Sequence, residues 1–215
     1  MQVIIFVEKL EERTELFSIY HNLDKEIIRE ASKNDLYLIG GTAIEIWLNY
    51  LAIKGWRKRS NNDLDFLINK ASSDDLYEFE DFLEDKGFER VDHLSFKLKN
   101  KIKIDFLDYK QTSLRDDEYL LKSNMFRMIN SIKLMSPVFL FTSKLSRAVY
   151  LIDSKIKDIK GKARLNRDLR DLKDLLKIIK KLKLENETEK SLEYFLGSYQ
   201  NKFQYYENFI NEKLK

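Results

Sequence analysis

The chain has no cysteine, only two histidines, one proline and six glycines in 215 residues. Without cysteine there is no disulfide, no thiolate metal site and no cysteine nucleophile, and a reducing cytoplasm is the expected setting. His21 and His93 are too far apart in sequence to offer ligand-like spacing, so neither a zinc site nor a serine–histidine triad is expected. So few glycines and prolines favour long helices over a turn-rich sandwich. No segment reaches the roughly 18 consecutive apolar residues of a membrane span. The apolar run from Met1 to Val7 is short, lacks a basic start and passes into Glu8 and Lys9; it reads as a strand or docking segment, not a signal peptide. Nor is there a charge excess of note. The net +3 is the residue of 39 basic and 36 acidic side chains, so bulk charge does not by itself mark a nucleic-acid binder.

What is present suffices for a packed core: 43% hydrophobic and 13% aromatic residues, in a length that suits one substantial domain or two small ones. Ile19, Tyr20, Leu23 and Ile27 recur at helical steps. Leu36-Tyr37-Leu38-Ile39 is a buried strand ending at Gly40-Gly41, and a helix with Ile44, Trp47, Leu48 and Leu51 on one face runs from Thr42 to about Ile53. A basic loop, Gly55 to Asn62, leads into the strand Asp63 to Ile68. Leu76, Phe79, Phe82 and Leu83 mark an amphipathic helix stopped by Gly87, and short strands follow to Tyr109 with a turn at Lys99-Asn100. A further strand pair is expected near 119–135. From Ser136 as N-cap and Pro137 at the first helical position, everything reads helical. Gly161 interrupts a basic stretch ahead of a helix carrying Leu165, Leu169, Leu172, Leu176 and Ile179. The expected fold class is α+β, with a mixed α/β domain over 1–135 and a helical domain over 136–215.

Chemistry gathers on a few of these elements. Asp63 and Asp65, two apart on a strand, project to the same face. Paired carboxylates repel unless a cation sits between them, and with no cysteine and no paired histidine the natural occupant is a hard divalent ion carrying phosphate oxygens. If the strand 101–109 lies beside 63–68, Asp105 becomes a third carboxylate over that face, as metal ligand or general base. Gly40 and Gly41, between strand and helix, allow backbone amides to approach phosphates, and the helix N-terminus adds favourable charge. Thr42 would cap that helix or bond a phosphate oxygen, and Arg57, Lys58, Arg59 and Ser60 supply more phosphate-binding groups. Taken singly, each feature has an ordinary explanation: a solvated Asp-x-Asp, a plain turn, a solvated basic loop. Their order along the chain favours the functional reading.

With these residues placed, the chain resembles the nucleotidyltransferase superfamily that includes DNA polymerase beta. More narrowly it resembles the AbiEii branch, the toxin component of type IV abortive-infection toxin–antitoxin systems, to which the MenT toxins are related. The matching stretches are LYLIGGTAIEIWL, RKRSNNDLDFLI and KIKIDFLDY, followed by SPVFLFTSKLSRAVY and LNRDLRDLKDLL. Tyr50 to Trp56 resembles an insertion, and the linker between Lys144 and Asp168 is long and basic.

The resemblance implies Mg²⁺-dependent (or Mn²⁺-dependent) transfer of a nucleoside monophosphate from a triphosphate, with pyrophosphate leaving. Asp63 and Asp65 would hold the metal, Gly41 and Thr42 the triphosphate, and Lys144 a phosphate charge. Asp168 would be an acidic partner of Lys144 or of the acceptor, with Asp171 as its substitute. The implied acceptor is RNA, a tRNA 3′ end, and the implied protein partner a cognate antitoxin. Two rival readings stay open: a non-catalytic nucleotide- or protein-binding module, and a nucleotidyltransferase acting on a small molecule. The basic residues Lys155, Lys157, Lys160, Lys162, Arg164, Arg167 and Arg170 would track an RNA backbone or form a solvated helix face. The aromatic tail, Tyr194 to Phe209, reads as core or partner interface.

Overall fold

Among the described residues seven strands form one mixed sheet, and four helices follow it. The computed structural model describes residues 22–55, 63–68, 73–99, 102–108, 126–154, 158–196 and 202–213. The elements run α1 (Asn22–Lys33), β1 (Leu36–Ile39), α2 (Gly40–Tyr50), β2 (Asp63–Ile68), α3 (Ser73–Asp85), β3 (Glu89–Asp92), β4 (Ser95–Leu98), β5 (Ile102–Asp108), β6 (Phe126–Ile129) and β7 (Ile132–Met135). Then come α4 (Pro137–Asp153), α5 (Ile159–Leu182), α6 (Glu185–Leu196) and α7 (Lys202–Lys213). The α+β class expected from the sequence is the class observed.

In space the strands lie in the order β3-β4-β5-β2-β1-β7-β6. β1 is antiparallel to β2 and parallel to β7, while β2 and β5 run parallel. All four residues of β1 are buried, as expected of a central strand covered on both faces. Alternation divides β2 between the two faces. Leu64 and Phe66 point with Ile104 and Phe106 of β5 into a cluster in which Phe79 of α3 meets both phenylalanine rings edge-on at 5.9 Å. α1 closes the same layer, where the Ser32 hydroxyl accepts a hydrogen bond from the Lys133 amide and donates one to the Ile28 carbonyl. Asp63 and Asp65 occupy the other face.

α2 is not amphipathic: every residue from Thr42 to Leu48 is buried. It is enclosed between the sheet and the C-terminal helices, and the Trp47 indole N–H donates to the Met135 carbonyl at 3.0 Å. Ser136 and Pro137 start α4 as expected, the serine hydroxyl accepting from the Phe139 amide. Gly161 does not interrupt a helix. Asp158 caps α5 and accepts the Gly161 amide, so the glycine sits in the first turn, where the cap supplies the bond that helix geometry leaves open. The Thr142 and Ser191 hydroxyls bond each other between α4 and α6, and Phe141 meets Phe203 of α7. One apolar core extends from Ile27 to Ile210 through sheet and helices alike.

Candidate active site between sheet and helices

Pairing between β2 and β5 sets Asp65 directly beside Asp105, and Asp63 beside Lys103. The conditional expectation for Asp105 is therefore met: three carboxylates share one sheet face. They differ in environment. Asp63 is exposed and Asp65 partly buried. Asp105 has both oxygens engaged, Oδ1 accepting from the Ser95 hydroxyl at 2.7 Å and Oδ2 from the Lys103 ammonium at 2.8 Å. Ser95 is the direct cross-strand neighbour of Asp105, and Lys103 lies two residues before it on the same face. The bonds to Asp105 and its charge, with that of Asp63, hold the Lys103 ammonium above its usual pKa despite some burial.

Asp65 is the strained charge of the group. Burial raises its carboxyl from 3.8 to about 6; Lys144 opposes the rise, Asp105 and Asp63 add to it, and Arg147 opposes it. The buried carboxylate is thus only partly compensated by the two cations facing it.

Gly40 makes this placement possible. It begins α2 with φ +70°, and a Cβ there would fall 2.9 Å from the Asp65 carboxyl carbon and clash with Oδ2. Only glycine meets both conditions, a left-handed backbone and a carboxylate packed against its Cα. The residue before the helix, Ile39, offers no capping side chain. Thr42 does not cap α2 either: it lies inside the first turn, and its hydroxyl donates to the Asp63 carbonyl at 3.2 Å, tying helix to strand. Gly41 is the adjoining first-turn residue. Arg59 and Ser60 lie outside the described residues.

The helical half contributes a second charged layer. On α4, Lys144 and Arg147 stand one turn apart; on α5, Asp168 and Asp171 do the same in the opposite direction. Lys144 Nζ lies 2.6 Å from Asp171 and 3.7 Å from Asp168. Arg147 holds Asp168 with two hydrogen bonds, Nε to Oδ2 at 2.7 Å and Nη2 to Oδ1 at 2.5 Å. Burial works against the Arg147 charge, but the bonds to Asp168 and the charges of Asp168, Asp171 and Asp65 outweigh it and hold the guanidinium above its usual pKa. The closer partner of Lys144 is therefore Asp171, the substitute candidate, while Asp168 serves chiefly Arg147. Geometry decides this: a guanidinium fork matches one carboxylate in the plane, leaving the ammonium to the acid one turn on.

Arg147, Ser95 and Lys103 are site residues that the sequence reading did not select. The three-residue step shared by Lys144/Arg147 and Asp168/Asp171 was a usable signal for the first. Ser95 had none, because its partner is fixed by the β4–β5 register.

The donor set suits a hard divalent cation at Asp63 and Asp65. Magnesium commonly takes one or two carboxylates and fills its remaining positions with water and substrate phosphates, and the raised pKa of Asp65 marks negative charge that such an ion would neutralise. Among the described residues no group of three or more acidic, histidine or cysteine side chains forms a metal cage; Asp105, beside Asp65 in register, is engaged by Ser95 and Lys103. No helix among the described residues is long and apolar enough to cross a membrane. Comparison with family models, with curated proteins and with solved structures found no match in any of the three.

Proposed function

We propose that this chain is a metal-dependent nucleotidyltransferase, moving a nucleoside monophosphate from a nucleoside triphosphate to an acceptor hydroxyl, with an RNA 3′ end as the first acceptor to test. The observation that carries this reading is the register pairing Asp65 with Asp105 beneath Gly40, opposite Lys144 and Arg147. Carboxylates for a cation, a glycine turn at a helix start and buried positive charge converge there from four segments distant in sequence.

In this scheme a bound Mg²⁺ or Mn²⁺ supplies charge neutralisation and polarisation of the triphosphate. Asp63 and Asp65 hold it, and the start of α2 offers a favourable field to the phosphates. Lys144 and Arg147, fixed by Asp171 and Asp168, set positive charge opposite the carboxylates, where negative charge on the leaving pyrophosphate grows. Because both cations are already oriented, little reorganisation accompanies the reaction. Asp105 is the base: a carboxylate offers about four lone-pair positions; Ser95 and Lys103 both lie against Oδ1 and Lys103 alone against Oδ2, which leaves capacity on Oδ2 for the acceptor's proton. Rate enhancement rests on positioning and electrostatics.

The test is transfer from each of four α-³²P-labelled nucleoside triphosphates, with Mg²⁺, onto total tRNA, beside Asp65→Ala. Label on RNA that disappears in the variant supports the proposal and names the nucleotide. Label on a hydroxylated metabolite with none on RNA selects the small-molecule reading. A non-catalytic binding module is favoured by the engagement of both Asp105 oxygens; triphosphate binding with no product would establish it. The toxin reading rests on the resemblance alone, and growth arrest on expression that is relieved by Asp65→Ala tests it.

A further inference from the structure

On α5 the two signs of charge differ in exposure. Asp168 and Asp171 turn inward and are buried against Arg147 and Lys144. Their removal from the surface leaves Lys160, Lys162, Arg164, Arg167, Arg170 and Lys173 exposed along the first four turns of the helix, spread over its solvent side and round to its edge. None of the six forms an ion pair with a described residue. The acids bordering this stripe are already occupied: Asp158 accepts the Gly161 amide, and Asp174 is tied to Lys177 at 2.8 Å. A sequence in which acids and bases nearly balance thus folds into a helix whose exposed charges, from Lys160 to Lys173, are basic.

From the geometry of α5 we infer that this exposed basic stretch is a docking surface for the phosphate backbone of a nucleic-acid strand. At about 1.5 Å per residue the stripe from Lys160 to Lys173 is about 20 Å long, and an α-helix with its side chains is about 10 Å thick. The inner side of the same helix holds the two cations that face Asp65. A strand lying on the stripe therefore passes about one helix diameter from the carboxylates, close enough for its end to reach them. That last step rests on the nucleotidyl-transfer reading; docking itself does not.

A membrane surface is the other polyanion such a stripe could meet, and the apolar residues argue against it. Interfacial helices bury an apolar face in lipid, whereas Leu169, Leu172, Leu175 and Leu176 are committed to the protein core. Ile159, at the helix start, is the one large apolar side chain exposed on α5.

The experiment uses the full chain without nucleotide or metal. Binding of a fluorescein-labelled 24-nucleotide RNA, and of DNA of the same sequence, is followed by anisotropy across a salt series. The variants are Arg164→Gln/Arg167→Gln/Arg170→Gln and a control triple beside the α1–α3 layer on the opposite sheet face, Arg29→Gln/Lys33→Gln/Lys86→Gln. Glutamine keeps helix propensity at exposed positions, and circular dichroism verifies folding. At about 0.7 per phosphate contact, loss of three contacts should lower the slope of log affinity against log salt by about 2, with at least a tenfold loss of affinity at low salt. The control triple should bind as the parent does. Equal loss in both triples, or no binding of either nucleic acid by the parent at low salt, would overturn the inference. So would binding to phosphatidylserine vesicles that depends on the three arginines while nucleic-acid binding does not. RNA and DNA binding alike identifies the backbone as the ligand; RNA alone adds a 2′-hydroxyl contact. A chain that binds through the arginines and transfers no nucleotide refutes the catalytic reading and leaves the docking surface standing.

Discussion

Replacing Asp65 by asparagine should make the protein more stable while ending its activity, and the gain should depend on pH in a defined way. The Asp65 carboxyl titrates at about 6 in the folded chain against 3.8 for the free side chain. Below about pH 4 the group is protonated whether the chain is folded or not, and it contributes nothing. Between those values the folded state keeps a proton that the unfolded state has released, so stability falls as pH rises. Above about pH 6 the full cost of a buried, partly compensated charge is present. At about 1.36 kcal/mol per pKa unit the ceiling is about 3 kcal/mol, and because Asp65 is partly exposed, solvent screening brings the expectation to about 1–3 kcal/mol. For a chain of this size that corresponds to roughly 2–12 °C in melting temperature. The attraction of Lys144 and Arg147 for the carboxylate is already contained in the net shift. Urea unfolding of the parent and Asp65→Asn at pH 4, 5, 6 and 7.5, without divalent metal, measures it. The two should be nearly equal in stability at pH 4 and diverge up to pH 6, with the variant ahead. Added Mg²⁺ should narrow the gap by stabilising only the parent. A variant less stable than the parent at pH 7.5, or a difference that does not change with pH, would refute the reasoning.

Three further outcomes follow from the same site. Gly40→Ala should cost about 1–2 kcal/mol from the left-handed backbone alone, and more because its Cβ displaces the Asp65 carboxylate; a melting curve together with loss of nucleotidyl transfer checks both. Asp63→Ala, at an exposed position, should change stability by no more than about 0.5 kcal/mol yet abolish transfer, and full activity in this variant would remove the paired-carboxylate scheme. Lys144→Met takes the near cation from the buried Asp171 carboxylate and should cost up to about 3–5 kcal/mol; adding Asp171→Leu should restore part of the stability without restoring transfer, which a double-mutant cycle in urea would show.

Much of the local structure could be read along the chain. The four-residue apolar run before Gly40-Gly41, the alternation of Asp63 to Ile68 and the Ser136-Pro137 helix start are local patterns, and the fold obeys them. So is the i, i+2 placement of Asp63 and Asp65, which needs nothing beyond strand geometry. Where local propensity alone was used, tertiary context changed the outcome. Thr42 was a reasonable cap by residue type, but the chain enters α2 at Gly40, and the hydroxyl bonds the Asp63 carbonyl instead. Gly161 looked like a break, yet a cap at Asp158 absorbs it into the first turn.

The sequence by itself determined the α+β class, the order of its elements and the face on which the paired carboxylates stand, because strand and helix periods assign side chains to faces without knowledge of neighbours. Only the tertiary structure decided that Asp105 joins that face and that Ser95 and Lys103 engage it, since strand register depends on how β4, β5 and β2 pair across gaps of many residues. It also decided that Arg147 rather than Lys144 grips Asp168, and that two acids of α5 are buried while six of its cations stay exposed. Those outcomes turn on which surfaces pack together, and contacts between distant segments leave no local signature in the chain.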